Sequence, residues 1–268
     1  MIEIPVFIPA HNEAKNIRRT LRWLPKHGVI PIVLPNWCTD NTADIARGMG
    51  ALVIESDEPG KLPAIQKGMR EALGKRAREP FITLDADTRP LMPRRWAAAM
   101  LAARAVCPPN APGVAVGPSV YFGHNDPIMA ARWTIRHYRR QQETAHDNNA
   151  GGFYGRNLLF DLHDDDTVEE VLSLAHFWPG EDRAMKDVAV EHGGSTFKSP
   201  DWEAACVTSA RRFHSLYARL TLGREAATAD WQDSYNADAI PGSVPYMSYE
   251  ESVLGLQTLP TPIAEIEG

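Results

Sequence analysis

The chain has 268 residues, 44% hydrophobic and 23% charged, with 28 basic against 34 acidic residues and a net charge of −6. At this size about 73% of the unfolded surface is buried on folding, so a core forms without staples, and the composition excludes disorder over most of the chain. The acidic balance argues against a protein that coats duplex nucleic acid, which needs a basic face. No apolar run approaches the ~20 residues that cross a bilayer, and the N-terminus reads as a first strand rather than a signal peptide. Cys38, Cys107 and Cys206 are widely spaced, which suits a reducing, cytoplasmic setting and neither a disulfide framework nor a zinc site.

The first ninety residues alternate strand and helix signals. Ile4 to Pro9 is an apolar run, followed by a helix that carries Ile17, Leu21 and Leu24 on one face. Asn12 is expected to cap that helix, with Glu13 in its first turn, and Pro25 and Gly28 to end it. Ile30 to Leu34 is a second strand, and Thr39-Asp40-Asn41-Thr42 opens a short helix with Ile45 and Met49. Ala51 to Glu55 is a third strand. Gly60 and Lys61 precede a helix striped by Leu62, Ile65, Met69 and Leu73. Phe81 to Leu84 is a fourth strand, ending in Asp85-Ala86-Asp87. This alternation predicts an α/β fold with a mostly parallel central sheet flanked by helices. The ligand crevice of such a sheet lies beyond the carboxyl ends of its strands, where His11, Asn36 and Asp85 fall together.

Beyond Pro90 the alternation weakens. Arg94 to Arg104 and Pro127 to His146 read as helices, with one strand from Gly113 to Phe122 between them. His163 to Glu170 is acidic and reads as an exposed helix start. Gly180 to His192 reads as a helix stopped by Gly193 and Gly194, followed by short strands at Thr196 to Lys198 and Ala204 to Thr208. From about Asp238 the prolines predict an irregular arm.

Three stretches carry chemistry. In Asp85-Ala86-Asp87, two carboxylates two residues apart in extended chain face one side and supply the oxygen ligands that Mg²⁺ or Mn²⁺ prefers; alone, the motif is equally a capping turn. Glu181-Asp182 stands at a helix start, where the dipole stabilises acids and one of them can act as a general base; plain capping explains the pair as well. Arg211, Arg212 and His214 suit a diphosphate and a metal, or a solvated surface. No Walker loop, GxGxxG or GxSxG is present in the sequence.

In order and together, these stretches resemble the family 2 glycosyltransferases of the GT-A fold. The resemblance rests on Val6-Phe-Ile-Pro-Ala-His-Asn-Glu13, Thr39-Asp-Asn-Thr-Ala-Asp-Ile-Ala46, Gly60-Lys61, Phe81-Ile-Thr-Leu-Asp-Ala-Asp-Thr-Arg-Pro90, Gly151-Gly152 and Gly180-Glu-Asp-Arg183. It implies a nucleotide-diphosphate sugar donor and Mn²⁺ or Mg²⁺ as cofactor. Pro9, His11 and Glu13 would border the nucleotide, Lys61 would sit near it, and Asp85, Ala86 and Asp87 would form the metal motif. Asp182 would be the base for inverting transfer, with Glu181 in reserve. Gly152 would face donor sugar and acceptor, Arg211 and Arg212 would close over the diphosphate, and His214 would be a third metal ligand. One stretch departs: Pro35-Asn36-Trp37-Cys38 stands where the family usually has Asp-Asp-x-Ser. There Asn36 can hydrogen-bond a base edge and Trp37 can stack on it or simply pack.

The expected organisation is a nucleotide-sugar-binding half over 1–92, an acceptor and catalytic-base half over 93–222, and an arm over 223–268. A retaining transferase of the same fold and a non-catalytic sugar-nucleotide or glycan-binding module are the alternatives. The acceptor is expected to be soluble. Arg132, Arg136, Arg139 and Arg140 offer a basic face for an anionic acceptor or an ordinary solvated one, and the arm leaves an oligomer open.

Overall fold

The computed structural model describes residues 3–90, 96, 102, 110–116, 119–123, 157–175, 181–198 and 204–208. Its main sheet has seven strands. In chain order these are β1 (Ile4–Ala10), β2 (Val29–Pro35), β3 (Leu52–Val53), β4 (Phe81–Leu84), β6 (Gly113–Val116), β8 (Asn157–Asp161) and β9 (Ser195–Lys198). Across the sheet they run β3-β2-β1-β4-β8-β6-β9. The β3-β2-β1-β4 half is parallel, as is β6 with β9, while β8 is antiparallel to both of its neighbours. A second sheet joins β5 (Thr88–Pro90), β10 (Ala204–Thr208) and β7 (Ser119–Gly123). The main sheet draws strands from both sides of residue 92.

β1 is the central strand of the parallel half, and all seven of its residues are buried. Its side chains alternate. Ile4, Val6, Ile8 and Ala10 enter one core with Ile17, Ala46 and Trp96. Phe7 enters the other with Leu62, Ile65, Met69, Val168 and Met185. This two-residue period feeding two cores makes a sheet covered on both faces. Pro5 and Pro9 flank the two pairs that β1 forms with β4, Val6 to Ile82 and Phe7 to Thr83, so their missing N–H groups fall outside that ladder.

The helices are α1 (Ile17–Trp23), α2 (Thr42–Gly48), α3 (Lys61–Gly68), α4 (Asp165–Ser173) and α5 (Glu181–Glu191). The expected stripe of Leu62, Ile65, Met69 and Leu73 is buried, although α3 passes into a wider turn over Met69–Leu73. The acidic run before α4 has a local purpose: the Asp164 carboxylate accepts the Thr167 N–H at 2.7 Å, capping the helix.

Three local expectations are corrected. Asn12 does not cap α1, which starts at Ile17 with Asn16 as its cap residue; Asn12 instead takes a left-handed φ of 53°, a conformation Asn tolerates better than most residues. The third strand shrinks to Leu52–Val53, extended by an isolated bridge from Ser56 to Asn36. The single strand expected over Gly113 to Phe122 is two, β6 and β7, which lie in different sheets. The helices expected at 94–104 (residues 96 and 102 apart, both helical) and 127–146 lie outside the described residues, as does the arm.

α5 ends as its glycines require. Gly193 takes φ +80° and donates to the Val190 carbonyl, while Gly194 donates to that of Ala189, a Schellman closure. A Cβ on Gly194 would stand 2.3 Å from the Ala189 carbonyl oxygen and 2.7 Å from that of Pro112, whereas one on Gly48 meets nothing within 4 Å. Gly194→Ala is therefore expected to destabilise the fold by about 2 kcal/mol or more, and Gly48→Ala, at the end of α2, to be neutral or stabilising by up to about 1 kcal/mol. Urea unfolding of both variants checks this, and equal effects would contradict it.

Candidate active site

The parallel strands β1, β2 and β4 end at one edge, and the loops that follow them are laced together. The His11 Nδ1–H donates to the Asn36 carbonyl at 2.9 Å. The Asn12 side-chain oxygen accepts from the backbone N–H of Thr39 at 2.8 Å and of Asp40 at 3.3 Å, which explains its left-handed backbone. Asp40 returns the link: its carboxylate accepts from the Ala14 N–H at 3.0 Å, the Thr42 N–H at 3.0 Å and the Thr42 hydroxyl. The Thr42 hydroxyl in turn accepts from the Glu13 N–H at 2.9 Å.

Within this pair of loops the predicted residues differ in presentation. Pro9 is buried in β1. Asn36 is 4% exposed, and its side-chain amide donates to the Ala10 carbonyl at 3.2 Å. Trp37, with φ 47°, is 40% exposed and stacks on the His11 ring, their centroids 6.3 Å apart. Glu13 is half-buried and accepts from the Asn16 amide at 2.7 Å.

The metal motif corrects the expectation of extended chain. Asp85-Ala86-Asp87 forms a turn in which the Thr88 N–H donates to the Asp85 carbonyl at 2.9 Å. Ala86 is buried in the core, and its carbonyl accepts the Thr20 hydroxyl of α1 at 2.6 Å, so the turn is pinned from below. Asp87 is 4% exposed.

Lys61 opens α3 after Gly60, whose φ of +111° suits glycine. Its Nζ reaches Asp85 Oδ1 at 2.8 Å and Glu181 Oε1 at 3.1 Å. Burial works against the Lys61 charge, but the carboxylates of Asp85, Glu181 and Asp182 outweigh it and hold the ammonium well above its ordinary range. Glu181 and Asp182 form the first turn of α5, where the helix dipole favours them. Glu181 is 5% exposed and Asp182 is half-buried.

Lys61, Asp85, Glu181 and Asp182 thus converge from three elements, with Asp87 on the same turn. Among the described residues no group of three His, Cys, Asp or Glu comes together as a metal cage. The donor set nevertheless fits a hard divalent cation, because Mg²⁺ and its analogues take one or two carboxylates and fill the shell from water and phosphate. Gly152, Arg211, Arg212 and His214 lie outside the described residues. Sequence reasoning missed Thr20, which carried no signal, and the clamping role of Asp40, whose signal was its place in the Thr-Asp stretch.

Against known proteins, the model for glycosyl transferase family 2 matches residues 6–163, more than half of the chain. No curated protein matches significantly. Among solved structures, a mannosyltransferase from Pyrobaculum calidifontis in complex with GDP-Man and Mn²⁺ has a TM-score of 0.53 and 18% identity, over 85% of this chain and 64% of that one. This chain thus spans somewhat less than two thirds of that neighbour's length. Glucosyl-3-phosphoglycerate synthase from Mycobacterium tuberculosis, in complex with Mn²⁺, UDP and phosphoglyceric acid, has a TM-score of 0.49 and 17% identity, over 90% and 80% of the two chains. The likeness to the mannosyltransferase shows a shared fold, the GT-A fold. Among the described residues no helix is long and apolar enough to cross a membrane.

Burial raises the Asp40 pKa, but hydrogen bonds from Thr42 and Ala14 and the charge of His11 win and hold it below its ordinary 3.8. A depressed folded pKa contributes stability above the unfolded value and loses it as pH falls through the folded one. Asp40→Asn is expected to cost about 0.5–1 kcal/mol at pH 7, a figure discounted for solvent exposure. The gap to wild type should close as pH drops below 3.8; urea unfolding at pH 7 and pH ~3 measures it, and a gap that widens in acid contradicts the clamp.

Proposed function

The chain belongs to glycosyl transferase family 2, and from that premise we propose that it moves a glycosyl group from a nucleoside-diphosphate sugar to an acceptor hydroxyl, with inversion at the anomeric carbon. The observation that carries this reading is the convergence of Lys61, Asp85 and Glu181, with Asp87 on the same turn as Asp85, at the carboxyl edge of the parallel strands. The fold neighbour's complex holds GDP-Man and Mn²⁺, and the proposed donor class and cofactor follow that precedent.

In this reading Asp85 and Asp87 would hold Mn²⁺ or Mg²⁺, which when bound would supply Lewis-acid neutralisation of the diphosphate. Asp182, more open than the Glu181 committed to Lys61, takes the proton of the acceptor hydroxyl. The acceptor oxygen bonds to the anomeric carbon while the bond from that carbon to the diphosphate oxygen breaks. His11, Glu13 and the exposed face of Trp37 border the nucleotide, and family resemblance adds Gly152, Arg211, Arg212 and His214. A soluble acceptor and a cytoplasmic setting complete the proposal, supported by the sparse cysteines.

Thermal melting with UDP, GDP, CDP, ADP and dTDP, each with and without Mn²⁺, tests the donor side. One diphosphate is expected to stabilise the protein in a metal-dependent way, by about 2.7 kcal/mol at 100 times its Kd. No shift with any of the five would sink the reading. Asp182→Asn is expected to lower transfer by about 100-fold or more while leaving that melting shift intact, since a base acts in the transition state. Normal transfer by this variant removes Asp182 from the role, and the anomer of the product decides inversion against retention.

A further inference from the structure

We propose that Lys61 is the counter-ion of the metal motif in the donor-free protein, so that a divalent cation enters with the donor diphosphate rather than ahead of it. The inference rests on the metal assignment of Asp85 and Asp87 made above. The Lys61 side chain is only 16% exposed and lies 2.8 Å from Asp85 Oδ1 and 3.1 Å from Glu181 Oε1, and Asp182 adds its charge to the same field. The ammonium therefore already serves the carboxylate that a metal would take.

The carboxylates gathered here draw a divalent cation in, but one arriving alone at Asp85 would have to share that carboxylate with the Lys61 ammonium and stand beside its charge, where solvent screens poorly, so Lys61 weakens the binding of the metal alone. A diphosphate arriving with the cation brings negative charge that offsets both. Metal and diphosphate then strengthen each other's binding, and such coupling is reciprocal. Lys61 is in this sense a positioning residue: it keeps Asp85 and Glu181 in place while the donor is absent, and its charge sets the order of entry.

The test measures Mn²⁺ affinity by electron paramagnetic resonance, without nucleotide and with the diphosphate that stabilises the protein in the melt. Wild type is expected to bind Mn²⁺ about tenfold more tightly, or better, when the diphosphate is present. Lys61→Met is expected to bind Mn²⁺ alone about tenfold more tightly than wild type does, so the effect of the diphosphate shrinks by the same factor. The wild-type protein gives a second measurement that needs no folded variant. The NMR signal of the Lys61 ammonium, held by two carboxylates, is expected to stay in place on titration with Mg²⁺ alone and to shift with Mg²⁺ plus diphosphate. Equal nucleotide-free Mn²⁺ affinity in wild type and Lys61→Met, or an ammonium signal that Mg²⁺ alone carries to the same end point, overturns the proposal. If wild type binds no Mn²⁺ with any diphosphate, the metal assignment itself fails and takes the counter-ion role with it.

Discussion

A central strand buried on both faces governs the arrangement of everything else. β1 has no exposed residue and no polar side chain, and β4 is buried throughout, with Thr83 its one polar side chain. Polar groups are pushed to the strand ends. Because β2 and β4 run parallel to β1, those ends lie on the same edge, and His11, Asn36 and Asp85 follow them directly. Burial along the strands and convergence at their ends are one constraint seen from two sides, which is why ligand crevices recur at this edge of open parallel sheets.

The ion cluster at that edge is poor evidence of stability. Removing charges from water costs several kcal/mol per ion, and a buried pair often does no better than an apolar replacement. Its value lies in specification. Lys61 begins α3, Asp85 follows β4 and Glu181 begins α5, so one ammonium fixes the relative positions of three elements that are distant in sequence. A variant that removed the ammonium would remove the one group that bridges Asp85 and Glu181 in these contacts, so the group that organises the site is one whose loss disturbs it.

The strand and helix order of the first ninety residues was legible because each element declares itself within a few residues, by alternation or by an apolar stripe. What stayed hidden depends on contacts between distant segments. Asn12 has the chemistry of a helix cap, but its side chain finds better partners at Thr39 and Asp40, more than twenty-five residues on. The Asp85-Ala86-Asp87 motif was recognisable by composition, whereas its turn depends on Ala86 entering the core and on the Thr20 hydroxyl of α1. The partnership of Lys61 with Glu181 spans over a hundred residues and has no local signature at all. The division into β6 and β7 likewise shows only in long-range pairing, β6 with β8 and β9 and β7 with β10.

The loop clamp also bears on the stretch that departs from the family pattern. Around Pro35-Asn36-Trp37-Cys38 the two loops are held by backbone groups, by Asn12 and by Asp40, none of which needs the acids that the family usually places there. Asn36 turns inward to the Ala10 carbonyl, while Trp37 remains exposed and braced by His11. In the proposed reading, recognition of the base at this position passes from a carboxylate that accepts hydrogen bonds to an aromatic face that stacks. Stacking is worth a comparable free energy but discriminates weakly, since every base has a π-face. A donor site built this way takes its affinity from the ring and the diphosphate, and its choice of nucleotide from whatever groups reach the base edge around Trp37.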